Sequence, residues 1–303
     1  MIEHYRHSDL DKAEWDALHL RCANRSWYAQ SWVLDAASPG WEALIDRETG
    51  AIMPLTWRRR FGWSYLFQPY GLQQLGVFAP RPTTALLHRT LEAIPSRFKY
   101  WDICLNDPYD RVALTHSTTV ENKDQWLPLD REHQALRAAY SENHRRNLRK
   151  SEALAALFTT EIEVPEFVAL FDRTTGDRFG SNAPRDMRTM EALIREACAR
   201  GQGRMTGIRM DGVLCAAVCF MTWLGRSILF KSASDARGRE AKAMFHLIDR
   251  HIRSITGECT ILDFAGSNTP SVARFNDGFG ARTSVYLRLR RNELPFPLNL
   301  FKQ

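Results

Sequence analysis

Between residues 203 and 286 the hydrophobic period switches from two to 3.6 and back, in an order that few folds share. Residues 204–210 and 213–221 are apolar-rich strand candidates joined at Asp211-Gly212, a two-residue hairpin signal. A third strand is expected over 227–232. Ala241, Met244, Phe245, Ile248, Ile252 and Ile255 then recur at three and four residues, which lays one apolar stripe along a helix. A strand over 260–264, a short helix over 270–277 and a last strand over 283–289 complete the order β-β-β-α-β-α-β.

The 303 residues suggest two domains, and a hydrophobic content of 44% with nine Trp and sixteen Phe excludes disorder. No window reaches eighteen apolar residues and the N-terminus lacks a basic-then-apolar signal, so a soluble cytoplasmic protein is expected. Six cysteines without CxxC spacing read as structural; Cys215 and Cys219 would share one face of a strand, with Ala217 between them. The net charge of +6 permits phosphate-bearing partners without demanding nucleic acid.

Upstream, helices over 11–20 and 30–37, strands over 42–46, 51–59, 63–68 and 75–78, a helix over 83–93 and strands over 100–105 and 112–120 form one unit. Ser8 and Asp9 are the candidate caps of its first helix. Trp63, Tyr65, Phe67, Tyr70 and Phe78 alternate as packed strand faces do. A boundary near Asp130 divides the chain into 1–130 and 131–303. The second part opens with helices over 133–139 and 141–156, Ser141 capping the latter, then a strand over 159–164 and helices over 166–174 and 184–200, where Pro184 suits a first helical position. Without a long Pro, Gly or Ser linker, the two parts are expected to pack rigidly and share a cleft.

Three stretches carry a resemblance. Leu262-Asp263-Phe264-Ala265-Gly266-Ser267, followed by Ala273-Arg274-Phe275, Gly278-Phe279-Gly280 and Tyr286, resembles the C-terminal signature of the FemAB-like branch of the GNAT acyltransferase superfamily. Arg145-Arg146-Asn147-Leu148-Arg149 and Thr174-Thr175-Gly176-Asp177-Arg178-Phe179 agree with it. The likeness is clear over 140–289 and extends to the first half in layout alone. It implies an α/β protein with mixed sheets, built as two tandem GNAT-like domains, the first degenerate and the second an acyltransferase.

The resemblance further implies that an acyl thioester enters where two neighbouring parallel strands splay, with the N-terminus of the next helix facing the pyrophosphate. That helix begins near Arg237-Gly238-Arg239-Glu240-Ala241-Lys242, so Arg237, Arg239 and Lys242 are candidate contacts for acetyl-CoA or another acyl-CoA. The family's second glycine is missing, and Glu240 puts negative charge where phosphate should lie.

Lys231, between Phe230 and a run of small residues, must snorkel or meet an acidic partner, and the resemblance places it at the cleft. Asp263 lies within an apolar stretch, where it is either ion-paired for structure or a general base. Asn276 stands where relatives carry a tyrosine or a lysine, and it cannot deliver a proton near neutral pH. Arg145, Arg146 and Arg149 crowd two turns of helix and suit an anionic substrate, as do Arg178 and Arg185 where the family binds its acceptor.

No P-loop, dinucleotide fingerprint, zinc motif or nucleophile elbow is present, and His246 and His251 are five apart, so no metal is expected. The resulting expectation is acyl transfer from acyl-CoA to a small-molecule or peptide amine, with an oligomeric state that the sequence leaves open. Two alternatives stand beside it. One is an aminoacyl-tRNA-dependent transferase extending a peptidoglycan precursor peptide, with tRNA as partner; the other is a catalytically silent GNAT-like binding module.

Overall fold

In the computed structural model the described residues are 1–109, 117–179, 183–266 and 268–297; the side chains of 175–179 lie outside the description. The chain divides by packing into one unit of Met1–Asn122 with Val285–Gln303, and a second of Lys123–Ser284. The sequence places the boundary near Asp130 and assigns the whole tail to the second part. Pairing of the last strand with a strand of the first unit is what returns the tail there.

The first unit holds β1 (Ile2–Tyr5), α1 (Lys12–Arg21), α2 (Ser31–Ala37), β2 (Glu42–Asp46), β3 (Ala51–Leu55), β4 (Trp57–Arg60), β5 (Trp63–Phe67), α3 (Thr84–Glu92) and β6 (Phe98–Cys104). Asp11, rather than Ser8 or Asp9, caps α1 by accepting from the N–H groups of Ala13 and Glu14. The single strand expected over 51–59 is two: β3 joins the sheet β1-β2-β3, while β4 pairs with β5 in another. Thr56 marks the break, its hydroxyl donating to the carbonyl of Phe67. Residues 75–78 form no strand and meet β3 through one bridge, Ile52 to Phe78. Of the expected aromatic set, Phe67 and Phe78 are buried and Trp63 and Tyr65 half-buried, in keeping with packing.

β7 (Thr118–Pro128) leads into the second unit: α4 (His133–Ala138), α5 (Glu142–Lys150), β8 (Phe158–Thr159), α6 (Val164–Phe179), α7 (Pro184–Ala199), β9 (Gly203–Met210), β10 (Val213–Trp223), β11 (Arg226–Ser234), α8 (Ala236–Glu240), α9 (Ala243–Ile255), β12 (Ile261–Asp263), α10 (Pro270–Asp277) and β13 (Arg282–Asn292). From Arg288 onward β13 pairs antiparallel with β6. The strand expected over 112–120 falls mostly outside the described residues, as does Ser267.

Six strands of the second unit run in the order β7-β12-β11-β10-β9-β8, and β11 with β12 is the parallel pair. Asp211 and Gly212, both at positive φ, close the β9-β10 hairpin as the sequence predicts. The stripe of α9, including Leu247, Ile248 and Ile252, buries against Ala216, Val218 and Phe220 of β10. The intervening β10 residues Cys215, Ala217 and Cys219 face the other way, which is the side of Lys231, the partner of Cys219 across the β10-β11 ladder.

Candidate functional site

β11 and β12 share three paired positions: Arg226 with Ile261, Ser227 with Leu262, and Ile228 with Asp263. Beyond them the strands part. Phe264 donates its N–H to the carbonyl of Gln125 on β7, at 2.8 Å, and Ala265 turns back with its N–H on Asp263 Oδ1, at 2.7 Å. Ala265 has φ +53°, a conformation that costs a non-glycine residue about a kilocalorie or more.

The other edge of β11 stays laddered to β10 as far as Ser234. Among the described residues, no strand covers positions 229–234 on the β12 side. On that side about 20 Å of β11 has no neighbouring strand, and alternate residues direct their N–H and C=O groups there.

Asp263 builds this fork. It is 2% exposed, and its Oδ2 lies 3.0 Å from Arg226 Nε and 2.8 Å from Arg226 Nη2 while Oδ1 holds the Ala265 turn. Both oxygens serve the divergence of the strands, Oδ2 through the Arg226 ion pair and Oδ1 through the Ala265 turn. Asp263→Asn is accordingly expected to lower stability by about 1–3 kcal/mol, since half-exposed Arg226 regains water, and to leave the pH dependence of turnover unmoved. Urea unfolding and a pH–rate profile check both.

Lys231 lies on β11 beyond the last position paired with β12, opposite Cys219 of β10. Its ammonium is 5.6 Å from the centroid of Phe230 and 5.9 Å from that of Phe171 on α6. The residue keeps a narrow contact with solvent, yet protein surrounds the ammonium closely enough for burial to push its pKa down to about 8, against the opposing charge of Asp186. Asp186 stands in the first turn of α7, opened by Pro184 as expected, beside exposed Arg185. Arg178 belongs to α6, and its side chain lies outside the described residues. Sequence reading missed Asp186 and Phe171, because a first-turn acid and an apolar helix residue are ordinary until topology sets them against β11.

Two helices follow the diverging strands, α9 after β11 and α10 after β12. They meet through aromatic rings: Phe245 lies 5.0 Å from Phe275, and Phe275 lies 5.3 Å from Phe279. Among them is buried His144 of α5. Its Nε2 donates to the carbonyl of Phe275 at 2.8 Å, and Ser141 Oγ donates to its Nδ1 at 2.9 Å, which fixes the neutral tautomer. Burial lowers its pKa, and the Phe275 carbonyl pulls the other way. Phe245 and Phe275 stay half-buried and give the two helices a partly accessible apolar wall.

The remaining expected residues lie apart from Lys231. Asn276 is 3% exposed and donates to Gln125 Oε1 at 2.9 Å; Gln125 in turn donates to Asp277 and to the Ala273 carbonyl, so Asn276 fastens α10 to β7. α8 is a five-residue turn whose N-terminus is closed by Asp235, which accepts from the Gly238 N–H at 2.9 Å. Gly238 is required there, because a Cβ would come within 2.7 Å of the Cys215 carbonyl. Arg237 pairs with Asp211 at 2.6 Å and Arg239 donates to the Ser234 carbonyl at 2.6 Å. Lys242, at φ +62°, breaks the helix before α9.

Arg145 donates to the Ala138 carbonyl and Arg146 to Asn143, and with Arg149 and Lys150 they make an exposed basic face on α5. Among the described residues none of the four has a carboxylate partner, and no group of His, Cys, Asp and Glu is placed to hold a metal ion. No helix there is long and apolar enough to cross a membrane.

A mixed sheet whose parallel pair forks, with a helix after each arm, is the GNAT arrangement. Residues 138–270 match the family described as the acetyltransferase (GNAT) domain. No curated protein sequence matches the chain. Among solved structures, FemX has a TM-score of 0.69 with 13% identity over 99% of each chain. The L-PGS structure from Bacillus licheniformis has 0.57 with 10% identity over 96% of this chain and 95% of that one. A tandem GNAT protein from the clavulanic acid biosynthesis pathway has 0.53 with 15% identity over 96% and 98%. Residues 138–270 thus match a GNAT domain, and the chain as a whole has a FemAB-like, double-GNAT fold.

Proposed function

We propose that this chain transfers an acyl group from a carrier-linked donor, acyl-CoA in the first instance, to the amine of a small molecule or peptide. The observation that carries the reading is the fork between β11 and β12. Its open backbone edge offers hydrogen-bonding groups to an extended carrier arm, and the rings of Phe245 and Phe275 offer apolar contact.

In the reaction a neutral amine nitrogen attacks the activated carbonyl carbon. Backbone N–H groups of the open edge stabilise the developing oxyanion, the C–S or C–O bond of the carrier breaks, and the amine's surplus proton must leave. Lys231 is the group suited to take that proton, since its lowered affinity for protons makes a fraction of it neutral near physiological pH. Asp263 is held by Arg226 and Ala265, and Asn276 by Gln125.

A second reading, an aminoacyl ester as donor, is favoured by one observation: the Asp235 carboxylate closes α8 where a CoA pyrophosphate would seek N–H groups. Incubation with radiolabelled acetyl-CoA, longer acyl-CoA and charged tRNA, each with a panel of amines, separates the readings. The expected result is transfer from one donor class, with kcat rising as pH passes through about 8 and Lys231 loses its proton. A lack of turnover with every donor would leave a binding module.

A further inference from the structure

Lys231 and the face of the sheet under α6 and α7 are not the only concave feature of the second unit. On the α9 side, α4, α5, β8, β9 and α9 enclose a cavity of about 620 Å³. Its lining is strongly basic, with Arg137, Arg204, Arg250 and Arg253 set against Glu152 and Asp249. The two carboxylates are answered, Glu152 by Arg137 at 3.8 Å and Asp249 by His133 at 3.0 Å. Arg204, Arg250 and Arg253 have no carboxylate partner among the described residues. Arg250 is braced over the ring of Phe158, its guanidinium carbon 3.9 Å from the centroid, which holds the group at the cavity.

The inner wall points to a ligand independently of the arginines. Thr206 is 5% exposed and His251 is 4% exposed; both line the cavity, and among the described residues Thr206 Oγ1 and His251 Nδ1 have no hydrogen-bond partner. A buried polar atom without a partner is costly, and such atoms are rare in folded proteins. Ser227 Oγ, which accepts from Thr222 at 3.1 Å, lies 2.8 Å from His251 Nε2; in the tautomer where Ser227 donates to that nitrogen, the ring proton sits on Nδ1. The imidazole is fixed in that pose by stacking on Phe220, with centroids 3.4 Å apart and planes within 7°. Thr206 and His251 therefore offer two buried hydroxyl and N–H donors beneath three unpaired guanidinium groups.

We propose that this cavity is a second binding site, for a phosphate-bearing small molecule of nucleotide size, with Arg204, Arg250 and Arg253 on its phosphates and Thr206 and His251 donating from the inner wall. The charge selects an anion, the planar guanidinium groups suit phosphate oxygens, and the volume lies in the range of small-molecule sites rather than of a lone inorganic ion. The site shares no side chain with the fork or with Lys231, so it stands whether or not the transfer reading does.

Titration calorimetry of the full chain with pyrophosphate and with ADP, at low ionic strength, tests it. Saturable binding is expected, weakened at least tenfold in the double variant R204Q/R253Q and changed less than twofold in K231M. Arg204 and Arg253 are exposed, so the double variant is expected to keep the parent Tm. The His251 ¹⁵Nδ1 resonance should shift on ligand addition in the parent protein and stay in place in the double variant. No saturable binding of either compound, or equal affinity in parent and double variant, overturns the proposal.

Discussion

Replacing Lys231 by methionine is expected to remove most transfer activity and, at the same time, to make the protein more stable. Loss of a positioned proton acceptor costs about 10²–10⁴-fold in kcat. Stability moves the other way because the fold holds an ammonium where burial opposes charge, depressing its pKa from 10.5 to about 8. Below pH 8 both folded and unfolded states carry the proton, and the desolvation cost falls wholly on the folded state. Between about 8 and 10.5 the unfolded chain keeps a proton that the folded one has released, so stability of the parent rises with pH through that window. Methionine, close to lysine in length, should therefore stabilise by about 1–3 kcal/mol at pH 7, with a gain that shrinks as pH climbs past 8. Urea denaturation of both proteins at pH 7 and pH 9.5 measures this. A variant that loses activity and stability together would place Lys231 in the packing rather than in the chemistry.

Gly278→Ala is the second large expected effect, and it tests how the two helices after the fork are joined. Backbone freedom plays no part, since Gly278 has an ordinary helical φ of −64°. Space does, because an added Cβ would lie 1.9 Å from His144 Cε1. His144 cannot step aside cheaply, pinned as it is by Ser141 and by the Phe275 carbonyl and enclosed by Phe245, Phe275 and Phe279. The substitution is expected to destabilise by about 2–4 kcal/mol. Adding His144→Ala should recover part of that loss, a coupling a double-mutant cycle reads directly. Additive losses in the double variant would mean that ring and glycine do not meet.

The order of elements from 203 to 289 was legible because each has its own period and clear breaks, Asp211-Gly212 above all. The break between α8 and α9 was not: no residue of the run Arg239-Glu240-Ala241-Lys242 is a helix breaker, yet Lys242 takes a left-handed turn, four residues after Gly238 packs closely on β10. The helix expected over 141–156 ends as α5 at Lys150 and continues as a 3₁₀ turn, Glu152–Leu157, although alanine and leucine there favour a longer helix.

Lys231 was visible as a charge set among apolar and small residues. Asp263 was visible by the same logic, but its partner Arg226 lies 37 positions away in sequence and no local pattern links them. His144 with Gly278 and His251 with Ser227 were hidden for the same reason. A lone histidine on a helix reads as core until the topology supplies its neighbour.

The account stands or falls on whether the open edge of β11 receives the donor. Backbone amide exchange, followed by mass spectrometry or NMR with and without a non-transferable analogue of whichever donor supports turnover, tests this most directly. Slowed exchange over 229–234, with the laddered amides of β9 unchanged, is the predicted result. Protection confined to other parts of the chain, with 229–234 exchanging as fast as before, would contradict it.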